Sequence, residues 1–135
     1  KLTDASLPEH KIDGLDISTL LFHPASPSPR TTFYYYYRKN ALEAVRKDHW
    51  KYVFPHPGRS YLNQKPGKDG FPGPAPENVA IAAGLYDLRR DPAEQYDVSE
   101  FNPEVVAELM KLGEVARADL GDDLTNKKGT GVRGN

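Results

Sequence analysis

Four residues near the middle of the chain, His56, Arg59, Tyr61 and Lys68, are of types that together could bind an anionic group. Arginine presents a planar fork that donates two parallel hydrogen bonds to an oxyanion. His56 adds a donor, Tyr61 a ring for stacking, and Lys68, lying between Gly67 and Gly70, a cation that can reach inward. The plainer reading is that Pro57-Gly58 and Pro66-Gly67 are ordinary turns and that His56 is a surface residue. Asp87, Asp91 and Glu94 form an acidic group that in principle suits calcium. Turn formation explains them better, because aspartate before Pro92 is a turn signal. His10, His23 and His49 stand at no metal-ligand spacing and read as surface or locally hydrogen-bonded residues. With no cysteine, disulfides and thiolate metal sites are excluded. No catalytic and no metal-ligating residue is assigned to the chain.

The elements that must position these residues follow from periodicity. Thr31–Arg38 reads as a first strand, with Phe33, Tyr35 and Tyr37 on one face and Tyr34 and Tyr36 on the other. Aromatic residues on both faces imply cover on both sides, hence a central strand. Tyrosines so placed are more often core than a carbohydrate platform. Ala41–Lys47 is a second strand, with Val45 between Glu43 and Lys47 on its face. Asp48-His49 makes a tight connection, and His49–Pro55 is a third strand. The three form an antiparallel meander. Residues 55–77 are a long loop, a feature that in a compact domain is often functional, although composition alone also allows disorder. Val79–Leu88 returns as a fourth strand, with Leu85 and Asp87 pointing one way and Tyr86 and Leu88 the other. Asp91-Pro92 ends it, since proline has no amide proton for a ladder.

Asn102 is placed as an N-cap, Pro103 at the first helical position and Glu104 at the positive end of the helix dipole. Val105, Leu109, Leu112, Ala116 and Leu120 then form one apolar stripe, which the aromatic sheet can cover. Gly113 weakens such a helix by about 1 kcal/mol relative to alanine unless it allows close packing. Gly121 caps its end. The fold class is therefore α+β: a four-stranded antiparallel sheet packed against one C-terminal helix, with a long loop between the third and fourth strands. Residues 1–30 read as a connector. Within it, Ile12, Leu15, Ile17, Leu20 and Leu21 can make one short helical turn, and the Pro/Ser-rich His23–Arg30 stretch is extended. Residues 31–121 are the folded part, and 122–135 a polar, glycine-rich tail that is loose in solution.

At 135 residues the chain supports one domain with a modest core. Lys and Arg total 18 against 19 Asp and Glu, so charge alone does not draw it to nucleic acid or to an anionic membrane. Lys127-Lys128 is too short for a nucleic-acid footprint. No apolar run approaches the roughly 18 residues of a spanning helix, and no signal peptide is present. The chain opens on Lys1 rather than methionine, as a processed or excised piece would.

Leu85-Tyr86-Asp87-Leu88, followed by Asp91-Pro92, Glu94 and Asp97-Val98, resembles the strand-and-turn signature near the end of type I sulfatases, the formylglycine-dependent members of the alkaline-phosphatase-like superfamily. Lys11-Ile12-Asp13-Gly14-Leu15-Asp16 resembles that family's linker into its C-terminal subdomain. Ala44-Val45-Arg46-Lys47 with Trp50-Lys51 resembles its hairpin, and Leu120-Gly121-Asp122 with the basic Gly-rich end resembles bacterial members. Nearly the whole chain is covered. The family's catalytic signature is Cys or Ser, any residue, Pro, any residue, Arg; Ser26-Pro27-Ser28-Pro29-Arg30 fails it, because Ser28 stands where proline is required. The paired acidic residues that hold calcium and the catalytic Lys/His set are also absent. The resemblance thus implies a C-terminal subdomain whose calcium and formylglycine lie in an N-terminal catalytic domain outside this chain. The parent would hydrolyse a sulfated glycan or an aryl sulfate, in the periplasm, at the cell surface or outside the cell, with His56, Arg59, Tyr61 and Lys68 shaping substrate choice. The chain alone is expected to be inactive, and to self-associate as a homodimer through apolar surface uncovered by separation from its partner. Two other classes fit the residues less closely: a free-standing glycan-binding or interaction module, and a subdomain of a related phosphodiesterase-type hydrolase.

Overall fold

The computed structural model describes Ser6, Glu9 and residues 12–132; the expectations placed on His10 and Lys11 lie outside these. The chain divides into two compact units, Lys1–Thr31 and Thr32–Asn135. In the first, the apolar cluster makes the single helical turn expected of it, α1 (Ser18–Phe22), opened by Asp16, whose Oδ1 accepts the Ser18 amide at 2.9 Å. The Arg30 guanidinium donates to the Asp13 carbonyl at 2.7 Å.

The second unit holds the sheet. Its strands are β1 (Thr32–Tyr37), β2 (Ala41–Lys47), β3 (Trp50–Val53), β4 (His56–Gly58), β5 (Val79–Ile81) and β6 (Gly84–Asp87). The main sheet is antiparallel with order β1-β2-β3-β6. The expected four-stranded sheet is present, but β1 is an edge strand and not a central one. Its Tyr34 and Tyr36 pack on the core, whereas Phe33 and Tyr37 on the other side are half exposed or more. Aromatic character on both faces here marks one buried face and one lining a cleft.

The most buried strand is β2. Leu42 and Val45 are both fully buried on the same side, although strict alternation would separate residues three apart. A bulge resolves this: Tyr35 pairs with Ala44 and Tyr36 with Leu42, so Glu43 is an extra residue with no partner of its own on β1. The bulge resets the alternation and turns both apolar residues toward the helix.

That helix is α2 (Pro103–Leu120). Its Leu109 and Ala116 close the core with Leu42, Val45, Tyr52, Phe54 and Leu85, while Val105 and Leu112 pack at the margin. Leu120, the last residue of the expected stripe, is 37% exposed at the helix end. Each fully buried leucine contributes about 1.5–3 kcal/mol relative to exposure. Asn102 stands at the N-cap, but its side chain turns back and donates to the Val98 carbonyl at 2.9 Å. Gly113 is explained by proximity: a Cβ there would lie 2.4 Å from Cζ of Phe54.

Two boundaries differ from the sequence reading. Val79–Leu88 is not one strand. Val79–Ile81 pairs with His56–Gly58 in a separate two-stranded ladder, and only Gly84–Asp87 joins the main sheet. The ladder closes the long loop at its base, leaving 59–78 without helix or strand. The third strand is correspondingly shorter, ending at Val53: Phe54 still gives its amide to the Glu43 carbonyl (2.8 Å), but Pro55 has no amide proton to continue a ladder. Secondly, the segment after Gly121 is not a loose tail. β7 (Gly121–Asp122) and β8 (Lys127–Lys128) form a short hairpin against α2, and Asp122 is fully buried. Only 133–135 of that segment fall outside the described residues.

Candidate functional site

The face of the main sheet opposite α2 is a cleft of about 510 Å3. Its floor is Tyr35, Ala44, Lys51, Val53 and Tyr86, the residues that alternation turns away from the core. The β4–β5 ladder supplies one side, through His56, Gly58 and Ile81, with Arg59 just beyond it. The end of β1 supplies Tyr37 and the β1–β2 turn Arg38.

Most charges in the cleft are paired. The Lys51 ammonium reaches both carboxylate oxygens of Glu94, at 2.6 and 2.8 Å, and sits 4.7 Å from the centroid of the Tyr35 ring. Glu94, held at φ 55°, comes from the turn after Asp91-Pro92, so that turn delivers a carboxylate to the cleft. His56 is largely buried. Its Nδ1 lies 2.7 Å from the Phe54 carbonyl and its Nε2 3.3 Å from Glu43, the bulge residue. The bulge thus does two things: it resets the core and it aims Glu43 at His56. Burial, and then the carboxylates of Asp97, Glu94 and Asp91, push the Tyr86 phenol up from its ordinary value.

Of the four residues singled out from sequence, His56 and Arg59 line the cleft. Tyr61, two residues beyond Arg59, is 55% exposed and is not part of the lining. Lys68 is exposed and stands apart from the lining. Sequence reasoning did not single out Arg38, Glu43 or Lys51 as site residues, and it read Glu94 as part of an acidic turn. No local signal marks them, because their convergence depends on a bulge, a hairpin turn and a chain reversal. The odd-numbered tyrosines carried a signal, a shared face, that was read as core.

The acidic group around Asp91 is a set of turn braces. Asp91 Oδ2 accepts the amides of Gln95 (2.7 Å) and Tyr96 (2.8 Å), and Asp97 Oδ1 those of Leu85 and Ser99 (both 2.9 Å). Asp87 pairs with Arg89, whose hydrogen bond holds its carboxyl below the usual range. Among the described residues, no three His, Cys, Asp or Glu side chains converge as metal ligands. The donor set among the described residues does not fit calcium, and a chain without cysteine cannot carry a cysteine-derived formylglycine. Among the described residues, no helix is long and apolar enough to cross a membrane.

A family model described as the C-terminal region of aryl-sulfatase covers residues 28–130, the whole sheet, both short ladders and α2. A search of curated proteins finds no match.

Proposed function

Because the chain belongs to the family of aryl-sulfatase C-terminal regions, we propose that it forms one side of the substrate pocket of a sulfuric ester hydrolase acting on a glycan or aryl sulfate. A C-terminal region of this family implies an N-terminal catalytic domain as its partner. That domain would supply the formylglycine and the calcium, and the parent would work in the periplasm, at the cell surface or outside the cell. The present chain completes the fold and contributes binding groups.

The observation that carries this reading is the cleft. It places Arg59 and His56 beside three tyrosine rings, on the sheet face that α2 leaves uncovered. An arginine donor next to aromatic surfaces suits a substrate with a charged group on a ring, and His56 holds the Glu43 carboxylate beside it. In the intact enzyme, Arg59→Ala and His56→Ala should each lower kcat/KM on the sulfated substrate by about tenfold or more, the loss of one charge-assisted hydrogen bond. Unchanged kcat/KM in both would sink the reading.

A further inference from the structure

Arg38 and Arg59 approach one another from separate places in the chain, and both meet Glu77. Arg38 stands in the β1–β2 turn, Arg59 follows β4, and Glu77 precedes β5. The Arg38 guanidinium donates to the Glu77 main-chain carbonyl, and the Arg59 guanidinium to the Glu77 carboxylate. We propose that Arg38 and Arg59 form a binding site for an oxyanion carried by a sugar, either a carboxylate or a sulfate, and that the Glu77 carboxylate fills it as an internal stand-in.

Three observations support this. The first is charge. In the cleft Lys51 is matched by Glu94 and His56 by Glu43, whereas of the two guanidinium groups at Glu77 only Arg59 meets its carboxylate and Arg38 donates to its main-chain carbonyl. This corner carries one positive charge more than its neighbours balance. The second is exposure. The Arg59 and Glu77 side chains are 48% and 62% exposed, against 16% and 31% for Lys51 and Glu94. Exposed pairs hold weakly, so a ligand oxyanion can replace the glutamate at little cost. The third is what lies alongside. Tyr37 is 63% exposed next to Arg38 in the same lining and Tyr35 forms the floor, so the rings offer an apolar surface to the sugar that bears the anion. At about 510 Å3 the cleft lies within the range of small-ligand sites.

The proposal rests on the pocket reading for its glycan class, but the site can be tested apart from it. The full chain is titrated calorimetrically with N-acetylglucosamine 6-sulfate, with an unsulfated glucuronate-containing disaccharide, and with lactose as the neutral probe. At least one of the two anionic sugars should bind, lactose should not, and comparison of the two identifies which anion is preferred. Glu77→Gln removes the competing charge and should tighten the anionic sugar by about threefold to fivefold, the scale of an exposed ion pair. Arg38→Gln and Arg59→Gln should each weaken it by about tenfold. A thermal midpoint for each variant near that of the parent shows that folding is not the cause. Binding of lactose as tight as that of the anions, no binding of either anion, or an E77Q variant that binds no tighter would overturn the proposal. If Arg38→Gln leaves binding and sulfate-ester hydrolysis untouched while Arg59→Ala and His56→Ala slow hydrolysis, this site falls and the pocket reading stands. If the anion binds as described while none of the variants alters hydrolysis, the site stands and the pocket reading falls.

Discussion

Arg117 donates from Nε to Oδ2 of Asp122 at 2.8 Å, and this buried pair joins the end of α2 to β7. The other oxygen of Asp122 accepts the amides of Leu42 and Leu124, both at 3.0 Å, and the Arg117 guanidinium lies 4.2 Å from the Phe54 ring centroid. Burial pushes the Asp122 carboxyl up, but the Leu42 amide, Arg117 and the Leu124 amide outweigh it and hold the carboxyl below its ordinary value. One side chain thereby links helix, sheet and the β7–β8 hairpin.

Removing one partner of such a pair strands the other, at about 3–5 kcal/mol. Arg117→Ala should therefore lower unfolding free energy by about 3 kcal/mol or more in urea titrations. Asp122→Asn, which keeps an oxygen for the Leu42 amide, should cost less than Asp122→Ala. Equal losses for the two aspartate variants would show that the amide bonds contribute little.

Tyr36 sets an alkaline limit. Its hydroxyl donates to the Gly121 carbonyl at 2.9 Å, and burial, followed by the charge of Asp122, pushes the phenol up to about 12. A pKa raised on folding means that the stabilisation is fully present below the unfolded value of about 10. It is then lost as pH climbs from about 10 toward 12. Thermal midpoints should fall across that window. In Tyr36→Phe the fall should be shallower, from a starting stability about 1 kcal/mol lower. An identical pH profile in the variant would contradict this.

Gly113 lies against the Phe54 ring, itself 4% exposed and stacked under Arg117. Alanine there gains about 1 kcal/mol of helix propensity. Its Cβ would fall 2.4 Å from Cζ of a ring held on both sides, and overpacking of this kind costs about 1–3 kcal/mol. The clash should win. Gly113→Ala is expected to lower stability by about 1 kcal/mol, read by chemical denaturation; a stabilised variant would mean that Phe54 has room to move.

Lys68 stands outside the cleft lining. In the intact enzyme Lys68→Ala should leave kcat/KM within about twofold of the parent, because an exposed charge outside the cleft lining contributes little. The isolated chain should show no turnover of a chromogenic aryl sulfate above buffer. Activity in the pure chain would place reacting groups where none has been assigned.

Residue order alone carried the architecture. The tyrosine run, the Val45 strand, the Leu85-Tyr86-Asp87 strand and the Val105–Leu120 stripe each announce their element through a local period, which is why an antiparallel sheet under one C-terminal helix was legible, and with it the family. Tertiary structure decided what periodicity does not encode. The Glu43 bulge turns Leu42 and Val45 the same way, and the strand order β1-β2-β3-β6 puts the first strand at an edge. The reversal after Ile81 divides one apolar run between two ladders. Asp122, polar and following a helix-capping glycine, reads as tail until Arg117 and the Leu42 amide surround it. The cleft is likewise a product of long-range pairing, since Arg38, Arg59 and Glu77 lie in turn and loop sequence with no period of its own. Local patterns report which face of an element is apolar; only the folded chain determines which polar groups meet, because those meetings depend on pairing between residues far apart in the chain.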